Sequence, residues 1–174
     1  YAVVTPTAGT GRWILVGSAV PKATAKRWVI SPMAMNREDS GGTGVYDWVN
    51  QFFGDDDSTV AFLTGEFGPF NPGDVITEIE AVGRNSGGVL ICDFYAVSCA
   101  DAAVVPTVTA LGTLTLVAGV DETQSATAAP LPITIPAAPS HTMVIGRVSM
   151  QAGAGDDVRA YWLALNGTRS YITE

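Results

Sequence analysis

Glycine and proline punctuate this chain from end to end: 19 glycines and 10 prolines are spread over 174 residues. Both residue types break element interiors, so few intervals could hold a long amphipathic helix. What lies between the breaks is β-branched, aromatic and alternating, which is the pattern of strands. One stretch offers a helix, "VYDWVNQFF" from Val45 to Phe53, and a strand reading competes there.

The strand segments recur along the whole length. "RWILVGSAV" (Arg12 to Val20) and "KRWVISPMAM" (Lys26 to Met35) flank Pro21 and read as a hairpin. "STVAFLTGEF" (Ser58 to Phe67) follows an acidic loop. From Val75, residues Val75, Thr77, Ile79 and Ala81 share one face, and Glu78 and Glu80 share the other. After the glycine-rich knot Asn85 to Gly88, read as a hairpin turn, Leu90, Cys92, Phe94 and Ala96 form an apolar face. "TVTALGTLTLV" (Thr107 to Val117) alternates as a half-buried strand does. A segment from His141 and another ending near Ile172 are read as joined by a turn at Ala152 to Asp157. Asn166-Gly167 reads as a further hairpin turn.

These spacings predict an all-β fold: an antiparallel β-sandwich or jelly roll of about eight to ten strands with little helix. The length suits a single domain over residues 1–174. Residues 123–140 carry four prolines and almost no charge, and are expected to form an edge strand or an extended arm. Deleting Pro130 to Pro139 is then expected to release a folded monomer. Residues 76–98 and 143–165 echo each other as strand, glycine-rich turn and aromatic strand, and are read as two equivalent hairpins of one sandwich.

Two segments carry a family likeness. "FNPGDVITEIEAVGR" (residues 70–84) resembles the Pro-Gly-Asp turn that launches a strand in jelly-roll domains. The domains concerned belong to phage fibres, phage head-decoration proteins and C1q- or TNF-like trimers. "VIGRVSMQAGAGDDVRAYWLAL" (residues 144–165) resembles the last hairpin of the phage domains. The resemblance spans residues 58–165. It implies a homotrimer with a virion-surface or receptor-binding role, and it supplies no catalytic residue.

Charge narrows the functional classes. The net charge is −8 and the isoelectric point about 4.4, which excludes the clustered basic surface that nucleic acid requires. Charged residues make up 15% of the chain, below the usual ~25%, which suits a surface that meets other protein. No apolar run is long enough to predict membrane insertion.

Catalysis is not expected. His141 is the single histidine, so no Cys/His metal spacing exists, and its place after Pro139-Ser140 at the mouth of a strand reads as a surface or turn histidine in preference to a triad base. Glu78 and Glu80 lie about 7 Å apart on one strand face, inside the range of an inverting glycosidase pair. Alternating glutamates are also the ordinary solvent side of a strand. Cys92 and Cys99 are expected as unbridged thiols. Asp55, Asp56 and Asp57 are weak calcium candidates, and Asp156 and Asp157 raise the same question less strongly. No cofactor is predicted. Asn166-Gly167-Thr168 fits a glycosylation sequon, but the turn reading takes precedence.

Three functions follow, in descending order. The first is a structural protein of a virus particle, as a capsid decoration, fibre or spike subunit. It would act in the virion through contacts with itself and other virion proteins. The second is a carbohydrate- or receptor-binding module for a host-surface glycan, with Trp13, Trp28, Trp48 and Tyr46 as contact candidates. The third is a small jelly-roll glycan hydrolase using Glu78 and Glu80.

Overall fold

The fold is described by a computed structural model for residues 22–38, 45–47, 49–55, 60–100, 105–129, 132–137, 140–153 and 155–171. Twelve strands occur among them, named in chain order. β1 is Lys22–Ile30, β2 Asn36–Glu38, β3 Val45–Asp47, β4 Phe52–Asp55, β5 Ala61–Phe67 and β6 Val75–Asn85. β7 is Val89–Cys99, β8 Thr107–Thr115, β9 Val120–Ala128, β10 Ile133–Thr134, β11 His141–Gln151 and β12 Val158–Tyr171. The expected count of eight to ten is exceeded because β2, β3 and β10 are too short to announce themselves by alternation.

Two antiparallel sheets face each other as a sandwich. In the larger sheet β6 and β12 pair centrally. β9 and β10 lie along the outer side of β6, and β1, then β4 with β3, extend from β12. The smaller sheet runs β2-β5-β11-β7-β8. The eight longest strands therefore alternate as β1-β12-β6-β9 over β5-β11-β7-β8, which is the double Greek key of a jelly roll.

This connectivity corrects the sequence reading of hairpins. β6 and β7 do not pair, because the Asn85 to Gly88 knot carries the chain from one sheet to the other. The turn between β11 and β12 does the same. The two echoing segments are equivalent, but as arches over the core, not as hairpins. Asn85 anchors its arch: it is buried, its Nδ2 donates to the Leu116 carbonyl and its Oδ1 accepts from the Gly88 amide.

Asn166-Gly167 is not a turn either. β12 runs through it without a break, between β1 and β6. Pairing with β6 slips there from Asn166–Glu78 to Gly167–Ile76, so Thr77 bulges out of register. The slip changes which face is inward. Ile76 and Ile79 are both fully buried, whereas Thr77 is exposed, contrary to the simple alternation read from the sequence.

The Lys26 to Met35 run is not one strand. Pro32 opens a 3-10 turn capped by Ser31, whose Oγ accepts the Met33 amide. The turn hands the chain from β1 to β2 in the other sheet. The helix option at Val45 to Phe53 is also lost. β3 and β4 pair as a hairpin whose tip Asp47 organises, accepting the amides of Val49 and Asn50.

The core fills the space between the sheets with Phe53, Phe67, Phe94, Leu63, Ile79, Leu163 and Leu165, all essentially inaccessible. Phe67 and Phe94 stack at 6.1 Å. Burying side chains of this size contributes about 1.5–3 kcal/mol each. Asp74 closes one end of the sandwich. It is fully buried, accepts the amides of Asn71 and Ser170, and pairs with Arg169 at 3.4 Å. The Pro-Gly-Asp motif is thus a clamp between the start of β6 and the end of β12.

The proline-rich segment packs on its own chain. Ile133–Thr134 pair with β6, and Ile135 is buried, exchanging backbone hydrogen bonds with Gly73 and Asp74. Deleting Pro130 to Pro139 removes these contacts, so a folded monomer is not the expected product of that truncation.

Candidate functional site

The outward face of the larger sheet carries the densest grouping of functional side chains. Strand pairing sets it out as a grid. Glu78, Glu80 and Val82 of β6 stand opposite Asn166, Ala164 and Trp162 of β12, while Arg27 and Val29 of β1 flank Asn166 and Ala164 on the other side. Thr127 of β9 lies beside Glu80.

Polar contacts knit one end of this grid. Asn166 Nδ2 donates to Glu78 Oε1 at 2.6 Å and reaches Glu80 Oε2 at 3.5 Å. Arg27 donates to the same Glu80 oxygen at 2.8 Å. The two glutamates anticipated from the sequence are therefore neighbours, held by one amide and one guanidinium. The other oxygen of each carboxylate makes no hydrogen bond to a described residue.

The opposite end is aromatic and apolar. Trp162 is 36% exposed, next to Tyr161 at a ring separation of 6.4 Å. Tyr161 meets Phe52 edge-on, and Arg159 lies over the Phe52 ring at 4.4 Å. Val82 and Ala164 are buried although they lie outside the main core cluster. In the strand grid they lie between Trp162 and the carboxylates and present almost no surface, whereas Val29 beside Ala164 is exposed.

A second region lies at one end of the sandwich. A cleft of about 340 Å³ is lined by Glu66, Phe70, Pro136 and His141 among others, and an adjoining one of about 320 Å³ adds Cys99 and Ile133. His141 is exposed at the start of β11, opposite Cys99. Its imidazole makes no hydrogen bond or ion pair with a described residue. The neighbouring Ser140 hydroxyl reaches the Ala100 carbonyl at 3.5 Å instead. These clefts bring a histidine, a carboxylate and a thiol to one end of the sandwich.

The remaining sequence candidates fall as follows. Trp28 is a core residue, not a contact surface. It is 4% exposed, its Nε1 donates to the Pro69 carbonyl, and its ring packs on Phe70 at 5.1 Å. The Arg-Trp pattern does split cation and ring across the strand, but Arg27 takes the outer face. Tyr46 is half-buried, with its hydroxyl donating to the Met35 carbonyl and its ring against Phe53. Burial raises its pKa. Trp13, Trp48, Asp56 and Asp57 lie outside the described residues, as does the Asp55 side chain.

Among the described residues, no group of three or more His, Cys, Asp or Glu side chains could hold a metal ion. Asp156 accepts the Gly153 amide, and Asp157 pairs with Arg84 and Arg159, so both brace the β11–β12 arch. Neither Cys92 nor Cys99 is bridged. Cys92 is buried, and desolvation drives its thiol pKa far up. No described helix is long and apolar enough to cross a membrane.

Trp162 is the residue that sequence reasoning passed over. Its signal was present in "RAYWLALN", where a tryptophan and an asparagine four residues apart share one strand face. The Tyr161 bulge and the strand partners that complete the site are not local information.

No protein-family model and no curated protein matches the chain. Similar solved structures are β-sandwich proteins at low identity. A family 6 carbohydrate-binding module is 15% identical with a TM-score of 0.46, over 79% of this chain and 91% of that one. The enzymatically active domain of tailspike protein 4 from bacteriophage CBA120 is 11% identical with a TM-score of 0.46, over 81% of this chain and 19% of that one. A structure of infectious bursal disease virus, Gx strain, is 9% identical with a TM-score of 0.36, over 94% of this chain and 36% of that one. Similarity of this degree concerns architecture alone.

Proposed function

We propose that the chain is a non-catalytic building block of a virus particle, a decoration, fibre or spike subunit that works through protein–protein contacts as a homotrimer. The observation that carries the reading is β8. It ends the smaller sheet, and among the described residues no strand pairs with its outer side. Its sequence, "TVTALGTLT", contains no charge. Sheet edges that must remain solitary are usually blunted by lysine, proline or an inward charge, so an uncharged edge suits a strand that acquires a neighbour. Val105, Val108 and Val117, all more than 60% exposed, continue the apolar character at and beyond both ends. By contrast β2, at the far edge of the same sheet, is short and carries Arg37 and Glu38.

Self-pairing of β8 about a two-fold axis would give dimers. A closed trimer instead brings β8 against a non-equivalent edge of the next subunit. Asn166 and Arg27 hold Glu78 and Glu80 as members of a cross-strand polar network, which suits a structural place for the pair.

The test is light scattering on a sizing column across protein concentration, with Val108→Lys beside the natural sequence. The expected outcome is a concentration-independent trimer that the lysine converts to a folded monomer. A dimer, a monomer at every concentration, or a trimer indifferent to the lysine overturns the reading.

A further inference from the structure

We infer that the outward face of the larger sheet is a binding site for a neutral saccharide, centred on Trp162 and completed by Glu78, Glu80, Arg27 and Asn166. This site is separate from the β8 edge and does not depend on the assembly proposed above. A sugar ring offers two kinds of surface, a face of C–H groups and a rim of hydroxyls that both donate and accept. The sheet face offers a match for each. Trp162 supplies a partly accessible indole, and the exposed Val29 adds apolar surface on the β1 side of the same face. Indole faces attract polarised C–H and cationic groups through the negative charge of the ring face.

About 7 to 13 Å along the strands from Trp162 stand the polar groups. Glu80 Oε1 and Glu78 Oε2 are acceptors unclaimed by described residues, and Arg27 uses one guanidinium nitrogen of three for its bond to Glu80. The acceptors are held in place beforehand by Asn166 and Arg27, which lowers the ordering cost of binding. Thr127 adds a hydroxyl beside Glu80.

Charge selects the ligand class. The polar end of the grid holds two carboxylates and one guanidinium, on a chain of net charge −8, while Arg84 and Arg159 beyond Trp162 are both paired with Asp157. Sialylated, sulfated or uronic-acid sugars would meet repulsion there, so the occupant is uncharged. The distance from Trp162 to Asn166 exceeds one sugar ring, so an oligosaccharide should bind more tightly than a monosaccharide.

Isothermal titration of the full chain with neutral gluco-, galacto-, manno- and xylo-oligosaccharides, beside sialyllactose and oligogalacturonate, tests this. At least one neutral series should bind, with affinity rising with length, and the anionic sugars should not. Trp162→Ala should lower that affinity about tenfold or more, Trp162→Tyr should retain part of it, and Glu80→Gln should weaken it several-fold. Thermal melts of the three variants establish that they remain folded. Failure of every neutral saccharide to bind, a preference for anionic sugars, or binding indifferent to Trp162→Ala overturns the inference. So does a Trp162→Ala variant that changes solution mass without changing saccharide affinity, because the face would then be a subunit contact.

Discussion

At the scale of single residues, Gly167 shows how a sound local signal can serve a different purpose. Asn-Gly favours a hairpin turn because both residues tolerate positive φ. Here the glycine is needed for close approach instead: a Cβ at Gly167 would lie 1.9 Å from the carbonyl oxygen of Val75. The neighbouring strand's backbone cannot move aside cheaply. Gly167→Ala should therefore cost roughly 2–3 kcal/mol in urea denaturation. Gly119→Ala is the matched control. Gly119 has φ of 81°, and a Cβ there would meet nothing within 4 Å, so its cost should be only the backbone term of about 1 kcal/mol. Equal losses at the two sites would show that crowding at the bulge is not what selects glycine. Residue identity alone announced a glycine with a special task, and only the register of β6 against β12 says which task.

At the scale of elements, strand content and inward faces were legible, because alternation in β5 and β7 follows directly from a period of two. The β3–β4 hairpin was less so, since nine residues rich in aromatics suit either a short helix or two short strands. Asp47 accepts the Val49 and Asn50 amides in a side-chain turn that would serve either form, and the pairing of Val45–Asp47 with residues 52–54 makes it a hairpin. Hydrogen bonds from the Asn50 side chain and backbone are the leading causes that hold its carboxyl below the ordinary carboxylate range. A group whose folded pKa is depressed adds stability above its unfolded pKa and loses it as pH falls through the folded one. Acidification below the usual carboxylate range should therefore loosen this hairpin before the core. Hydrogen exchange followed by mass spectrometry should show protection of residues 45–55 falling with acid in the natural chain. In Asp47→Ala protection should already be reduced at neutral pH, with little further change. An acid response that persists in that variant would place the titrating group elsewhere.

At the scale of the whole molecule, the sequence indicated two sheets but not which strands join. Hairpin signals are local, whereas a jelly roll sends most successive strands to opposite sheets. Its pairs are therefore drawn from distant parts of the chain, β1 with β12 being the extreme case. The candidate site inherits that difficulty: Arg27, Glu80 and Trp162 come from three strands widely separated in sequence, and no window of sequence contains them together. The same pairing has another consequence. Lys22 stands opposite Tyr171, so the start of β1 and the end of β12 lie side by side. A linker joining residue 174 to residue 1, with the chain opened between the exposed Ala118 and Gly119, should give a permuted protein that melts cooperatively. Loss of the β-sheet circular-dichroism signal in that permutant would mean that order of synthesis, and not contact alone, governs the fold. With the first residue of β1 beside the last of β12, the sandwich is also suited to graft onto a loop of a larger polypeptide, as cargo on a two-stranded stem.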